Sequence, residues 1–244
     1  MRRAATLSLI LVAILAAGAS RAAASGFDVR MGAFFPRARD CGIPSSQPAE
    51  FTLFQDDCEL YFVSKSDFIG FTGGAEYNLV LVPNVELGFH IDGYGRSVDT
   101  SYRGYTRPDG SEIRQTLHLE TLPMGVTVRI VPTSKRNKVA PYLGGGVDAV
   151  WWKYEEYGDF IDFLDPTFPI RSDHFRSDGW AFGVHAVAGI RFYLNRDFAI
   201  VAEGRYQWAK EDIFHGDFAP NGPGLVNTID LSGVSATVGL HVRF

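Results

Sequence analysis

Residues 229–244 read IDLSGVSATVGLHVRF, and from Gly233 onward they alternate without a break. Val234, Ala236, Val238, Leu240, Val242 and Phe244 fall on one face of an extended chain; Gly233, Ser235, Thr237, Gly239, His241 and Arg243 fall on the other. Successive side chains of a strand point to opposite faces, so this is a strand with one apolar and one polar side. Its apolar side needs a protein core or lipid, and the rest of the chain decides which.

The same period recurs in seven earlier stretches. Phe27, Val29, Met31, Ala33 and Phe35 alternate with Asp28 and Arg30; Ile69, Phe71, Ala75, Tyr77 and Leu79 with Thr72, Glu76 and Asn78; Val85, Leu87, Phe89 and Ile91 with Glu86, His90 and Asp92. In residues 113–131, Leu117 and Leu119 share one phase, and Leu122, Met124, Val126, Val128 and Ile130 the other. One extra residue near Thr121 and Pro123, a β-bulge, reconciles the two phases and puts His118, Glu120 and Arg129 together on the polar face. Leu143, Val147, Ala149 and Trp151 then oppose Tyr142 and Asp148. Trp180 to Phe192 oppose His185 and Arg191, and Phe198 to Trp208 oppose Glu203 and Arg205.

Connections between these eight segments alternate short and long. Residues 82–84, 132–138 and 195–197 are turns, whereas 37–65, 96–112, 154–177 and 211–228 are long loops. Antiparallel neighbours joined this way gather all the short turns at one end and all the long loops at the other. Trp180 lies twelve residues before Phe192, and Phe198 ten before Trp208. At about 3.3 Å per residue and a tilt near 40°, both spans project to roughly 25–30 Å, the height of an outer-membrane apolar band. Trp151, Trp180 and Trp208 then form one aromatic girdle, and Phe192 and Phe198 part of the other. Lipid is what the apolar face meets, and the fold class is all-β: an eight-stranded antiparallel up-and-down transmembrane barrel over residues 25–244.

Composition agrees. Of 244 residues, 46% are hydrophobic and 14% aromatic, and the net charge of −5 gives no basic footprint for nucleic acid. Arg2 and Arg3, the apolar run from Ala4 to Ala17, and Ala22 to Ala24 before Ser25 form a cleavable signal peptide over residues 1–24, which implies export. The apolar run is shorter than the roughly 20 residues a spanning helix requires.

With its export signal, alternating strands and loop rhythm, the chain resembles the small eight-stranded bacterial outer-membrane barrels of the OmpA, OmpX and OmpW type, the outer membrane protein β-barrel domain proteins. The resemblance implies residence in the outer membrane of a Gram-negative bacterium. It also implies contact with outer-membrane lipid, including lipopolysaccharide. Leu240, Val242 and Phe244 match the terminal signal by which such proteins meet the barrel-assembly machinery. What it implies about function is coarse: a structural or surface-interaction role carried by the long outer loops, or else a narrow pore or transporter for small or apolar solutes.

An eight-stranded barrel is just wide enough to be filled by its own side chains. Arg30, Glu76, Glu86, His90, Asp92, Glu120, Arg129, Asp148, His185, Arg191, Glu203, Arg205 and His241 are therefore expected to form an interior network in which acids and bases pair. A proton path or pH gate through the histidines is the sharper alternative. No catalytic role is expected. His118 with Glu120, and Ser232 or Ser235 with His241, share faces, as strand periodicity arranges by chance, and the signatures of lipid A deacylase and palmitoyltransferase barrels are missing. Gly144-Gly145-Gly146 lies inside a strand and is no phosphate loop, so no cofactor is expected. Cys41 and Cys58, the two cysteines, most simply form a disulfide in an exported chain. The carboxylates of the outer loops lack the spacing of an EF-hand, and no metal site is assigned to them.

Overall fold

The computed structural model describes residues 25–38, 41, 50–132, 138–163, 165–219 and 226–244; the signal peptide expected at 1–24 lies outside them. The strands are β1 (Ser25–Pro36), β2 (Glu50–Thr52), β3 (Gly70–Val82), β4 (Val85–Thr106), β5 (Glu112–Ile130), β6 (Val139–Ile161), β7 (Ile170–Tyr193), β8 (Phe198–Asp212), β9 (Val226–Asp230) and β10 (Gly233–Arg243). One helix, α1 (Leu53–Leu60), follows β2. Among the described residues no helix is long and apolar enough to cross a membrane.

Eight of the strands form a closed ring. β1 pairs with β3, β3 with β4, and so on in antiparallel order to β8, while β10 pairs with both β8 and β1. Closure leaves no edge strand unpaired in lipid, the condition for a sheet to span a bilayer. The short turns are built from residues suited to them: Asn84 takes a left-handed φ of 70°, and the Asn195 side-chain oxygen accepts from the backbone N–H of Asp197 at 2.9 Å and of Phe198 at 2.8 Å.

The far end differs from the sequence reading, because the strands run on past the membrane. β6 and β7 pair in unbroken register from Val139↔Phe192 through Trp151↔Trp180 to Ile161↔Ile170. Residues 154–161 and 170–177, expected as loop, are therefore strand, and Trp151 and Trp180 sit mid-strand. β4 likewise extends to Thr106 across the expected loop 96–112. The stretch 229–244 is interrupted once, at Leu231 and Ser232, between β9 and β10.

The bulge expected in β5 is also absent. Its register with β6 is continuous from Gln115↔Gly158 to Ile130↔Leu143. Leu117 and Leu119 are fully buried inside the barrel, in phase with Thr127 and Arg129. What changes near Thr121 is the surroundings: below it the outside is lipid and the apolar residues point out, above it the outside is water and they point in. Hydrophobic phase inverts while the backbone does not.

Glu120 must be reassigned on this account. With no bulge it faces outward beside His118 and Lys153, its side chain 39% exposed, and takes no part in the interior network.

Candidate functional site: a filled interior and an aromatic cleft

The membrane half of the barrel holds the expected charge network, less Glu120. Arg129 donates to Glu76 at 2.6 Å, to Glu203 at 3.0 Å and to Asn78 at 2.7 Å. Arg30 pairs with Glu203, with Glu76 at 3.0 Å and with Asp92 at 3.1 Å, and Arg205 reaches Glu76, Asp92 and Glu203 at 3.1–3.3 Å. Arg191 meets Glu86 at 2.7 Å and Asp28 at 3.6 Å, and His241 meets the other oxygen of Asp28. Asp148 lies between His185 at 2.8 Å and His90 at 3.1 Å. Tyr142 completes the set: its hydroxyl donates to Glu203 at 2.7 Å and its ring lies under Arg129 and Arg191. Charges so removed from water persist only when each is paired and hydrogen-bonded.

Above the network the filling is apolar. Leu117, Leu119, Val150, Trp152, Tyr154 and Ala181 project inward, and the segment after β1 folds down onto them. The Thr52 hydroxyl caps α1 by accepting from the Gln55 N–H at 3.3 Å, and the helix buries Leu53 and Phe54 in the barrel mouth. Phe54 meets Phe68 edge-on at 5.2 Å, and Tyr61 meets Tyr102 at 5.0 Å. β2 adds a parallel pairing to β9, and the disulfide Cys41–Cys58 ties the segment to itself. The expected long loop 37–65 thus contains a plug.

Two buried acids meet where the plug docks, Asp57 on α1 and Glu156 on β6. Asp57 accepts from the Tyr154 hydroxyl at 2.6 Å and Glu156 from the Tyr61 hydroxyl at 3.3 Å. Burial raises Asp57 well above the ordinary carboxylate range, with the charge of Glu156 acting in the same direction. Burial likewise raises Glu156 to about 7.

The hairpin tips show the opposite of a sealed core. Tyr105, Pro108, Ile113, Ile161, Phe163, Phe168 and Ile170 line an open cleft of about 600 Å³ between the β4–β5 and β6–β7 hairpins. The ring of Phe163 packs edge-on against those of Tyr105 at 5.4 Å and Phe168 at 6.3 Å, and Phe168 and Phe163 are 58% and 43% exposed.

The remaining sequence expectations fall as follows. Trp180 and Trp208 stand exposed on the outer wall, as do Phe192 and Phe198 at the other end, while Trp152 is buried inside. Leu240 and Val242 share the outward face of β10, and Phe244, the residue after it, is exposed. The Ser232 hydroxyl is engaged with the backbone of Ala209 and His241 with Asp28, so these two do not pair with each other. Ser97 touches His118 Nδ1 at 2.7 Å on the outer wall. Asp28, on the polar face of the first strand, joins the network, and Tyr142 and Thr127 are interior partners that the charge pattern alone did not rank.

The profile of the outer membrane protein beta-barrel domain family matches residues 7–244. The chain belongs to this family. Among solved structures it is similar to the outer membrane protein OprG from Pseudomonas aeruginosa, at 14% identity over 91% of this chain and 96% of that one, with a TM-score of 0.53. Neisserial surface protein A gives 10% identity over 91% and 98%, with a TM-score of 0.48. The E. coli outer membrane protein W gives 16% over 92% and 100%, with a TM-score of 0.40. A search of curated proteins found no match. The family places this barrel in the outer membrane, and identities this low speak for the fold alone.

Proposed function

We propose that this outer-membrane barrel works by surface interaction, with the aromatic cleft between its two tallest hairpins as the recognition site for an apolar or aromatic group. The cleft carries the reading. Rings exposed at a hairpin tip do nothing for solubility, and an open apolar concavity is the usual shape of a binding site. The interior supports the same reading, since salt bridges fill the lower half and the plug the upper. A cavity beside Asp92 and Arg205 measures about 30 Å³, room for a water or two rather than a solute. Short turns face the periplasm in such barrels, which directs the cleft outward from the cell. Lys153 and Arg176 on the outer wall, just beyond Trp151 and Trp180, stand where lipopolysaccharide headgroups would meet them. The outward Leu240, Val242 and Phe244 remain available to the assembly machinery.

Two measurements test this. Cells displaying the barrel should adhere to polystyrene beads, and Phe163→Ser with Phe168→Ser should lower adherence severalfold at unchanged surface level. The purified barrel, shown inserted by heat-modifiable gel mobility, should be silent in planar bilayers. Discrete openings from the inserted protein would instead establish a pore, and undiminished adherence of the double variant would remove the cleft from the recognition surface.

A further inference from the structure

The interior charges divide into groups, and one of them does not balance. Glu76, Asp92 and Glu203 face Arg30, Arg129 and Arg205; Asp28 and Glu86 face Arg191 and His241. Asp148 faces two histidines and, among the described residues, no arginine within 4 Å. A fully buried carboxylate with neutral imidazoles on either side is an uncompensated charge, and such a charge calls for a cation.

The three side chains are disposed as metal ligands. One donor atom from each of His90, Asp148 and His185 lies within 4.8 Å of the others, and all three residues are buried. His90 Nε2 and Asp148 Oδ1 face each other at 3.1 Å, and neither has a further hydrogen-bond partner among the described residues. Ligands bound at 2.0–2.1 Å around a tetrahedral ion stand about 3.3 Å apart, close to that separation.

The opposite ring nitrogens are held by a single group. Thr127 Oγ1 lies 2.9 Å from His185 Nε2 and 3.4 Å from His90 Nδ1. When that hydroxyl oxygen accepts from both N–H groups, His90 Nε2 and His185 Nδ1 are left as lone pairs aimed at the Asp148 carboxylate. Three lone-pair donors converging in a buried space repel one another unless a cation sits among them, and an outer hydrogen bond that fixes each tautomer is the usual support of a metal-bound histidine. Glycines keep the space open: a Cβ at Gly125 would stand 2.1 Å from Asp148 Oδ1, and one at Gly146 2.8 Å from His185 Cε1.

We propose that His90, Asp148 and His185 form a binding site for a divalent transition-metal ion inside the barrel, with Thr127 orienting both imidazoles. Two imidazoles and one carboxylate suit zinc and its neighbours better than magnesium or calcium, which favour all-oxygen shells. The ion brings the charge that Asp148 lacks and cross-links β4, β6 and β7, which supply the three ligands.

The test uses the barrel purified from outer membranes, unfolded in chelator and refolded in detergent with Zn²⁺ or Co²⁺, folding being scored by gel mobility. The folded protein should retain about one ion per chain after dialysis, melt at a higher temperature than the metal-free form, and show with Co²⁺ the intense visible bands of a tetrahedral site. His185→Ala and Asp148→Asn should lose the ion, whereas His118→Ala on the outer wall should keep it. Retention that survives His185→Ala overturns the assignment. So does folded wild-type protein that holds no zinc and gives no cobalt bands, in which case the three groups share a proton; this readout needs no variant to fold.

Discussion

The two halves of the barrel interior solve opposite problems. In the membrane half the outer wall faces lipid, so the apolar residues point out and the inside is left to Arg30, Glu76, Arg129, Glu203 and Arg205. In the outer half the wall faces water, so Thr116, His118 and Glu120 point out while Leu117, Leu119 and Trp152 point in, onto α1 and Phe68. One set of strands runs through both. The lower half is held by charge pairs that cannot be broken singly, the upper half by packing of the kind found in a water-soluble protein.

The comparison can be broken at its polar end first. Arg129→Met leaves Glu76 and Glu203 short of a partner, and removing one member of a buried ion pair costs about 3–5 kcal/mol. Urea unfolding in lipid vesicles measures it, and a loss below about 1 kcal/mol would deny the network its structural role. Leu119→Ala in the upper half should cost about 2–5 kcal/mol in the same assay, as large-to-small changes in packed cores do.

The boundary between the halves is tested from outside. Ala186→Arg places a charge on the lipid-facing wall of β7, midway between Trp180 and Phe192, and should cost about 2–4 kcal/mol, whereas Thr116→Arg, equally outward but above the girdle, should stay within about 0.5 kcal/mol. Equal costs would mean that the membrane boundary is misplaced.

Docking of the plug should depend on pH in a stated direction. Burial raises Asp57 and Glu156, so the docked plug binds protons that a released one gives up. Docking is therefore strongest in acid and weakens as pH rises from the ordinary glutamate value of 4.5 through about 7. Hydrogen exchange of the α1 amides should quicken across that interval, and Asp57→Asn should flatten the response. Glu120→Ala should also have a small effect, an exposed ion pair being worth about 0.2–1 kcal/mol; a loss near that of Arg129→Met would return Glu120 to the interior.

How much of this could be read from sequence follows the same division. Where lipid fixes which face is apolar, period alone assigned Arg30, Glu76, His90, Asp148, Glu203 and His241 to the interior. Above the girdle the rule reverses, and a reading that kept one rule throughout needed a bulge at Thr121 and misplaced Glu120. The inversion itself was visible in Leu117, Leu119 and Leu122. The aromatics of 154–177 were signs of strand where loop was expected. The plug was harder to foresee, since packing Phe54 against Phe68 depends on contacts that no local pattern encodes. The His90, Asp148 and His185 cluster joins three strands, and period gives the face of a residue but not its height relative to another strand.

Most neighbours in the ring are joined by a local hairpin, but the pairing of β1 with β10 is not. Gly26 lies opposite Arg243, and the backbone N–H of Phe244 donates to the carbonyl of Ser25 at 3.0 Å. That seam spans nearly the whole described chain, so it is the costliest contact in loop entropy. Until it forms, the other strands are an open sheet whose first strand exposes a row of unmatched amides that lipid will not tolerate. Insertion and closure must therefore finish together, and a lesion anywhere in β10 should act as a failure of arrival in the membrane before it acts as a loss of stability there.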